Sequence, residues 1–308
     1  MQNTIVKSFN LSGVTLHSGK HSNISVHPAK ANTGIIFMRK DLDVSKEECL
    51  IESKFSNVTH SQLCTKLTNK FGHCISTVEH IMSAFHGMNI DNAIVEVDTD
   101  EIPILDGSSI DFVSNIENVG IRELDIDREI IKIQRPQILN INDSIIKAYP
   151  SDDFVIDYTI VYDHNLINEQ RYVFQLNDHN NYKKLISNCR TFGFKDEVEK
   201  LKNNGLIAGG SIHNAVVLDK DGTLNQDKLR HKNEFVKHKI LDFIGDIYLL
   251  GYQVRGSFEI YKGGHKLTHE LMKNIMSDEA NWQLIHERDL NDHNYRQAFN
   301  TKVLAASL

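Results

Sequence analysis

The sequence predicts an α+β fold built mainly on antiparallel sheet, and three observations lead there. Segments such as 34–39 (GIIFMR), 92–97 (NAIVEV) and 153–162 (DFVIDYTIVY) are rich in β-branched and aromatic residues, and several alternate in polarity as half-buried strands do. The stretches 76–87 (STVEHIMSAFHG), 108–120 (SSIDFVSNIENVG) and 234–251 (EFVKHKILDFIGDIYLLG) repeat apolar residues at the helical period and end in Gly. Strand segments also follow one another without an intervening helix, which favours antiparallel pairing over the long crossovers that parallel strands require.

With 308 residues the chain can bury a substantial core, and its length favours two domains. Residues 76–118 run helix, strand, loop (PILDGSS), helix; residues 234–277 run helix, strand, loop (KGGHKLT), helix. The repetition suggests two similar halves with a boundary near the charged stretch 122–130 (RELDIDREI). Helix–strand–loop–helix also occurs in α+β proteins without duplication, so the pattern alone leaves both origins open.

Charge narrows the partners. The 34 basic and 41 acidic residues give a formal net charge of -7 and are spread evenly, so the basic stripe of a nucleic-acid binder is missing. The start, MQNTIVKSFNLSG, lacks the basic and apolar regions of a signal peptide, and no stretch approaches the ~18 apolar residues of a membrane span. Cys49, Cys64, Cys74 and Cys189 form neither a C-x-x-C pair nor a disulfide-rich spacing, which fits a reducing compartment and small core residues. The expectation is a soluble, cytoplasmic protein.

Chemistry enters at HKILDFIGD. Positions four apart drift slowly around a helix, so His238, Asp242 and Asp246 form one polar stripe amid Ile240, Leu241, Phe243, Ile244 and Ile247. A catalytic zinc takes three ligands from His, Asp or Glu and keeps a fourth position for water. His238 and Asp242 can supply two, and His80, itself on an apolar helix, is the best candidate for the third; Glu79 beside it is placed to act as a base. Competing readings stand next to these. Ser76-x-x-Glu79 fits a capping box, and His238 with Asp242 fits a helix-surface pair. The stronger H-E-x-x-H signal is missing: HELMK at 269–273 and HERDL at 286–290 lack the second His. A mononuclear zinc hydrolase, a binding protein whose polar stripe is structural, and a metal-free hydrolase using two carboxylates all remain open at this point.

Longer motifs go further. In order they are GVTLHSGK (13–20), ANTGIIFMR (31–39), STVEHIMSAFHGMNIDNAIVEV (76–97), EIPILDGSS (101–109), RTFGF (190–194), GLIAGGSIHNAVV (205–217), FVKHKILDFIGD (235–246) and GGH (263–265). By this combination, over nearly its whole length, the chain resembles the zinc-dependent UDP-3-O-acyl-N-acetylglucosamine deacetylases of the Gram-negative lipid A pathway. The resemblance implies two similar two-layer α/β domains with mainly antiparallel sheets, helices packed between the sheets, and a small insert in each. Their expected bounds are 1–126 and 127–308, with the insert of the second at about 194–222.

It also implies the roles. His80, His238 and Asp242 would ligate one Zn²⁺, or Fe²⁺ in the cell. Glu79 would be the general base, His265 the catalytic histidine, Asp246 the carboxylate that orients it, and Thr191 a hydroxyl donor to the oxyanion. Lys239, Phe192 and Tyr162 would meet the UDP-sugar. Ile207, Gly210, Ser211, Ala215 and Val217 would line a passage for its 3-O-acyl chain. Contact with a membrane would be at most transient and peripheral. One departure is Ser144, where many family members carry a Lys near the nucleotide; either Lys147 replaces it from a shifted register or phosphate binding is weaker on this side.

Overall fold

Burial alternates along the expected strands. Ile35–Arg39 and Ala93–Val97 each bury every second residue, as the period of two requires when one face meets a core. The structure, a computed structural model, describes residues 1–220 and 222–291. Asp221 of the expected insert and residues 292–308 of the expected C-terminal domain lie outside the described residues.

A five-stranded sheet runs in the order Phe9–Val14, His21–Pro28, Ala93–Val97, Ile35–Arg39, Leu50–Glu52. A seven-stranded sheet centres on the long strand Gln253–Tyr261. Glu129–Ile133, Ser144–Tyr149 and Phe154–Tyr162 pair with it directly; Trp282–His286, Gln137–Ile141 and Asn168–Gln175 extend it outward. Most pairings are antiparallel, as expected. The parallel exceptions among the described residues include Ile35–Arg39 with Ala93–Val97, and Gln253–Tyr261 with both Glu129–Ile133 and Phe154–Tyr162.

The helices are α1 (Glu79–Gly87), α2 (Ile110–Val119), α3 (His179–Leu185), α4 (Lys195–Asn203), α5 (Glu234–Ile247) and α6 (His265–Met276). Both halves of the repeat therefore run helix, strand, loop, helix, as read from the sequence. α1 begins three residues later than its motif: Cys74–Ser76 is a strand, and the chain turns through Thr77 at φ 59° before the helix starts. α5 ends as expected, passing into a 3₁₀ turn at Tyr248–Leu250 that stops at Gly251 in the left-handed conformation.

α5 is apolar nearly all round because it lies between layers. It packs on Phe154–Tyr162 and Asn168–Gln175 while crossing α1 on another side. Ile240, Leu241, Phe243, Ile244 and Ile247 are all buried, each stabilising the fold by about 1.5–3 kcal/mol, and this burial helps offset the cost of enclosing five ionisable side chains on the same helix, Glu234, Lys237, His238, Asp242 and Asp246. One residue sets how closely α1 and α5 approach. A Cβ at Gly245 would fall 1.9 Å from the carbonyl oxygen of Glu79 and 3.0 Å from the nitrogen of Ser83, so only Gly lets the two backbones touch here.

Candidate active site

The α1–α5 contact brings together the residues expected to hold a metal. His80, on the first turn of α1, meets His238 and Asp242 from successive turns of α5, and all three are buried. The Nε2 atoms of His80 and His238 lie 3.5 and 3.3 Å from Asp242 Oδ1, and the rings stand nearly perpendicular at 5.2 Å between centroids. Three donors tetrahedrally bound at about 2.0–2.2 Å would be spaced by about 3.3–3.6 Å. Asp242 Oδ1 is buried and makes no hydrogen bond among the described residues, an orphaned acceptor facing two imidazole nitrogens. These three donors therefore fit a divalent ion, and they are the group of His, Cys, Asp and Glu among the described residues gathered tightly enough to do so.

The tautomer of His238 suits this. Its Nδ1–H donates to the Cys189 carbonyl at 3.0 Å, which leaves the Nε2 lone pair aimed at the cluster. Burial lowers its pKa to about 4, so the ring is neutral near pH 7. His80 Nδ1 has no such partner among the described residues. For Asp242, burial acts upward, but its interactions with His238 and with the Lys239 ammonium outweigh it and hold the carboxyl well below its usual range. Lys239 Nζ donates to the other oxygen, Oδ2, at 3.0 Å.

Beside the cluster stands a second set. His265 is the first residue of α6, rather than part of the loop that its motif suggests. Its Nδ1 lies 2.6 Å from Asp246 Oδ2, while Nε2 faces Glu79 Oε1 at 3.8 Å and Asp242 Oδ2 at 4.0 Å. Burial works against a charged imidazole, but the charge and hydrogen bond of Asp246, then Glu79 and Asp242, push its pKa up to about 10. Glu79 is raised by burial, opposed by His265 and His80. A carboxylate and an imidazolium are thus kept close together, each moved away from its solution behaviour in the direction acid–base chemistry uses.

Glu79 does not close a capping box. Its Oε2 accepts from the backbone N–H of Thr65 at 3.1 Å, and the Ser76 N–H instead donates to the Asp100 carbonyl. His238 and Asp242 are equally far from being a surface pair, at 1% and 6% exposure.

Around these groups lie other expected residues. Phe192 packs edge-on to His238 at 6.5 Å and to Tyr162 at 5.6 Å, with Lys239 Nζ 5.9 Å above its ring. Thr191 is two residues from the Cys189 carbonyl that holds His238. Its backbone N–H donates to Gly107, and its hydroxyl makes no hydrogen bond among the described residues. The segment expected as the insert, about 194–222, carries α4 and shares a small sheet of Phe192–Phe194, Val216–Asp219 and Gly222–Thr223 that starts before it and ends after it. Its irregular strap rests on the N-terminal loop. Ala208 N–H and Gly209 N–H donate to the carbonyls of His17 and Leu16, and a Cβ at Gly209 would strike the Thr15 oxygen at 2.0 Å. Ile207 (φ 47°), Gly210 and Ser211 belong to this strap; Ala215 leads into the strand that carries buried Val217. Lys147 does not take the place of Ser144: three positions along a strand place it on the opposite face, and Glu259 pairs its ammonium at 3.0 Å.

Sequence reasoning missed residues that hold this machinery in place. Arg190 and Glu234 form a buried pair at 2.8 Å, and Glu234 also accepts from the backbone N–H groups of Arg190 and Arg230. The pair fixes the segment that presents the Cys189 carbonyl and Thr191. An acid directly before the apolar run of α5, in a chain whose RTFGF motif opens on an Arg, is the signal that could have found it. Thr65 gave no such signal.

An α+β protein that sets a buried two-histidine, one-aspartate cluster beside a carboxylate–imidazolium pair belongs to the class of metal-dependent hydrolases. Comparison with known proteins narrows the class. The model of the UDP-3-O-acyl N-acetylglycosamine deacetylase family matches residues 2–277, and the chain belongs to that family. The UDP-3-O-acyl-N-acetylglucosamine deacetylase of Syntrophus aciditrophicus is 41% identical over 308 residues, covering 99% of this chain and 96% of its own. The deacetylases of that name from Campylobacter hominis and Xylella fastidiosa are 39% and 41% identical, over 97% and 92% of this chain and 99% and 92% of theirs.

Proposed function

We propose that the protein hydrolyses the N-acetyl group of UDP-3-O-acyl-N-acetylglucosamine, releasing acetate and the free amine in the committed step of lipid A synthesis. The observation that carries the reading is the juxtaposition of the His80, His238 and Asp242 donors with Glu79 and His265 in a chain of this family. The resident metal is Zn²⁺, which this donor set suits, although two histidines and a carboxylate also accept Fe²⁺. Held by His80, His238 and Asp242, a divalent ion would supply Lewis acidity towards the acetamide carbonyl and would make water acidic enough to ionise near neutrality.

The side chains divide the rest of the work. Glu79, raised by burial, takes the proton of the attacking water. His265, protonated at neutral pH and oriented by Asp246, faces the developing oxyanion and then gives its Nε2 proton to the departing amine. Thr191 donates its free hydroxyl to the same oxyanion, a contact whose loss typically raises the barrier by about 2.7–4 kcal/mol. Lys239, at the edge of the cluster above the Phe192 ring, would meet the nucleotide phosphates, and Phe192 and Tyr162, packed edge-on to each other, would pack against the sugar or base. Ile207, Gly210, Ser211, Ala215 and Val217 border the acyl chain, where each buried CH₂ contributes about 0.8 kcal/mol.

The chain divides into domains at 1–126 and 127–308, with the insert at 194–222 in the second. A reducing cytoplasm is the compartment that the four free cysteines support. No helix among the described residues is long and apolar enough to cross a membrane, and the acyl chain of the substrate brings the protein only into peripheral contact with one. Incubation with acylated UDP-N-acetylglucosamine, followed by mass spectrometry, tests the reading: the deacetylated amine should form and a chelator should abolish it. Binding without turnover, cleavage of the glycosidic bond, or indifference to chelator refutes it.

A further inference from the structure

Thr65 touches both halves of the acid–base pair although it belongs to none of the motifs. It is 2% exposed and sits in the turn before the strand Lys66–Thr68, far in sequence from α5 and α6. All three of its polar groups are used. The backbone N–H donates to Glu79 Oε2 at 3.1 Å, the hydroxyl donates to Asp246 Oδ1 at 2.6 Å, and the carbonyl accepts from Val78 N–H at 3.4 Å. Asp246 has His265 Nδ1 on its other oxygen at 2.6 Å, and Thr65 Oγ1 itself lies 3.5 Å from that nitrogen. A carboxylate held on one oxygen alone can swing about its Cβ–Cγ bond; held on both it cannot.

From this geometry we infer that Thr65 is a positioning residue for the deacetylation proposed above, locking Asp246, and through it His265, in register with Glu79. One residue from the N-terminal half thereby sets the spacing between base and acid, which are otherwise carried on separate helices. The inference rests on the proposed reaction for its kinetic readout but not for its geometric one.

Thr65→Val keeps the shape and the backbone N–H and removes only the hydroxyl. It should lower kcat by at least about tenfold, the typical effect of losing a hydrogen bond to a charged group. KM and metal content should stay as in the parent. Thr65→Ser, which restores the donor, should return kcat to within about threefold of the parent. Proton NMR of the Asp246–His265 hydrogen bond provides the second readout: the Nδ1 proton resonance should move in Thr65→Val and return in Thr65→Ser. If the parent itself releases no acetate, the deacetylase reading fails, and the resonance alone decides the role of Thr65. Parent-like kcat in Thr65→Val, or an unmoved resonance, overturns the inference. If Thr65→Val does not fold, Thr65→Ala replaces it, and loss of metal or of folding in both assigns Thr65 a packing role and equally overturns it.

Discussion

Substituting Gly245 by Ala tests whether the approach of two helices, rather than the identity of the ligands, decides metal binding. The added methyl would meet the Glu79 carbonyl oxygen at 1.9 Å, its carbon at 2.8 Å and the Ser83 nitrogen at 3.0 Å, all of them backbone atoms that no rotamer change can move aside. Ordinary contact begins near 3.4 Å, so α1 must withdraw from α5 by about 1.5 Å, in a core where overpacking costs about 1–3 kcal/mol. His80 rides on α1, so its Nε2 would open from 3.5 Å towards about 5 Å from Asp242 Oδ1, whereas ligand distances tolerate only about ±0.2 Å. Metal affinity should therefore fall by at least about 100-fold, at or beyond the loss typical of disturbing a ligand's support. Chelator competition on Gly245→Ala, with thermal unfolding alongside, measures both effects. Parent affinity with a parent melting temperature would refute the claim that this contact sets the site.

Two further expectations concern groups outside the reaction. His86 is fully buried, stacks on Tyr248 and bonds the Ile244 carbonyl, and burial lowers its pKa to about 4. Since the unfolded chain takes up this proton near pH 6.5, stability from His86 is complete above that pH and is lost as pH falls towards 4, by about 3 kcal/mol. Urea melts across this range should show the slope, and His86→Gln should flatten it; an unchanged slope would exclude His86 as its source. Arg190→Met should destabilise by about 3–5 kcal/mol, because it leaves the fully buried Glu234 carboxylate without its counter-charge, while adding Glu234→Leu should recover only part of the loss, since the backbone N–H groups of Arg190 and Arg230 then lose their acceptor. Denaturant unfolding of the single and double variants decides this, and a single variant within about 1 kcal/mol of the parent would contradict it.

How much of this was legible in the sequence depends on how local the cause is. The α5 stripe could be read because a period near 3.6 places His238, Asp242 and Asp246 together whatever surrounds them, and Gly251 ended the helix for a purely backbone reason. The capping-box pattern misled for an equally local reason: Thr77 adopts positive φ, which leaves Ser76 in a strand and turns Glu79 towards Thr65. The role of Gly245 depends on where α1 lies, which no window of the sequence contains. Thr65 was invisible on two grounds. Its contact with Asp246 spans 181 residues, and its hold on Glu79 comes from a backbone N–H that any residue but proline would offer.

The satisfied and unsatisfied atoms of the stripe together explain why a helix this apolar tolerates it. His238 is answered by the Cys189 carbonyl, Asp246 by Thr65 and His265, and one oxygen of Asp242 by Lys239. Among the described residues, the other Asp242 oxygen and the Nδ1 of His80 are fully buried members of this group left without hydrogen bonds. An unmet buried polar atom costs about 1–3 kcal/mol, and the Asp242 part of this deficit lies where the three donors converge. A bound divalent ion relieves the Asp242 part of it, which couples metal affinity to folding stability. The crossing of α1 and α5 then has two consequences from one contact: it creates the deficit by bringing His80 against Asp242, and it sets the distance at which a metal can remove it.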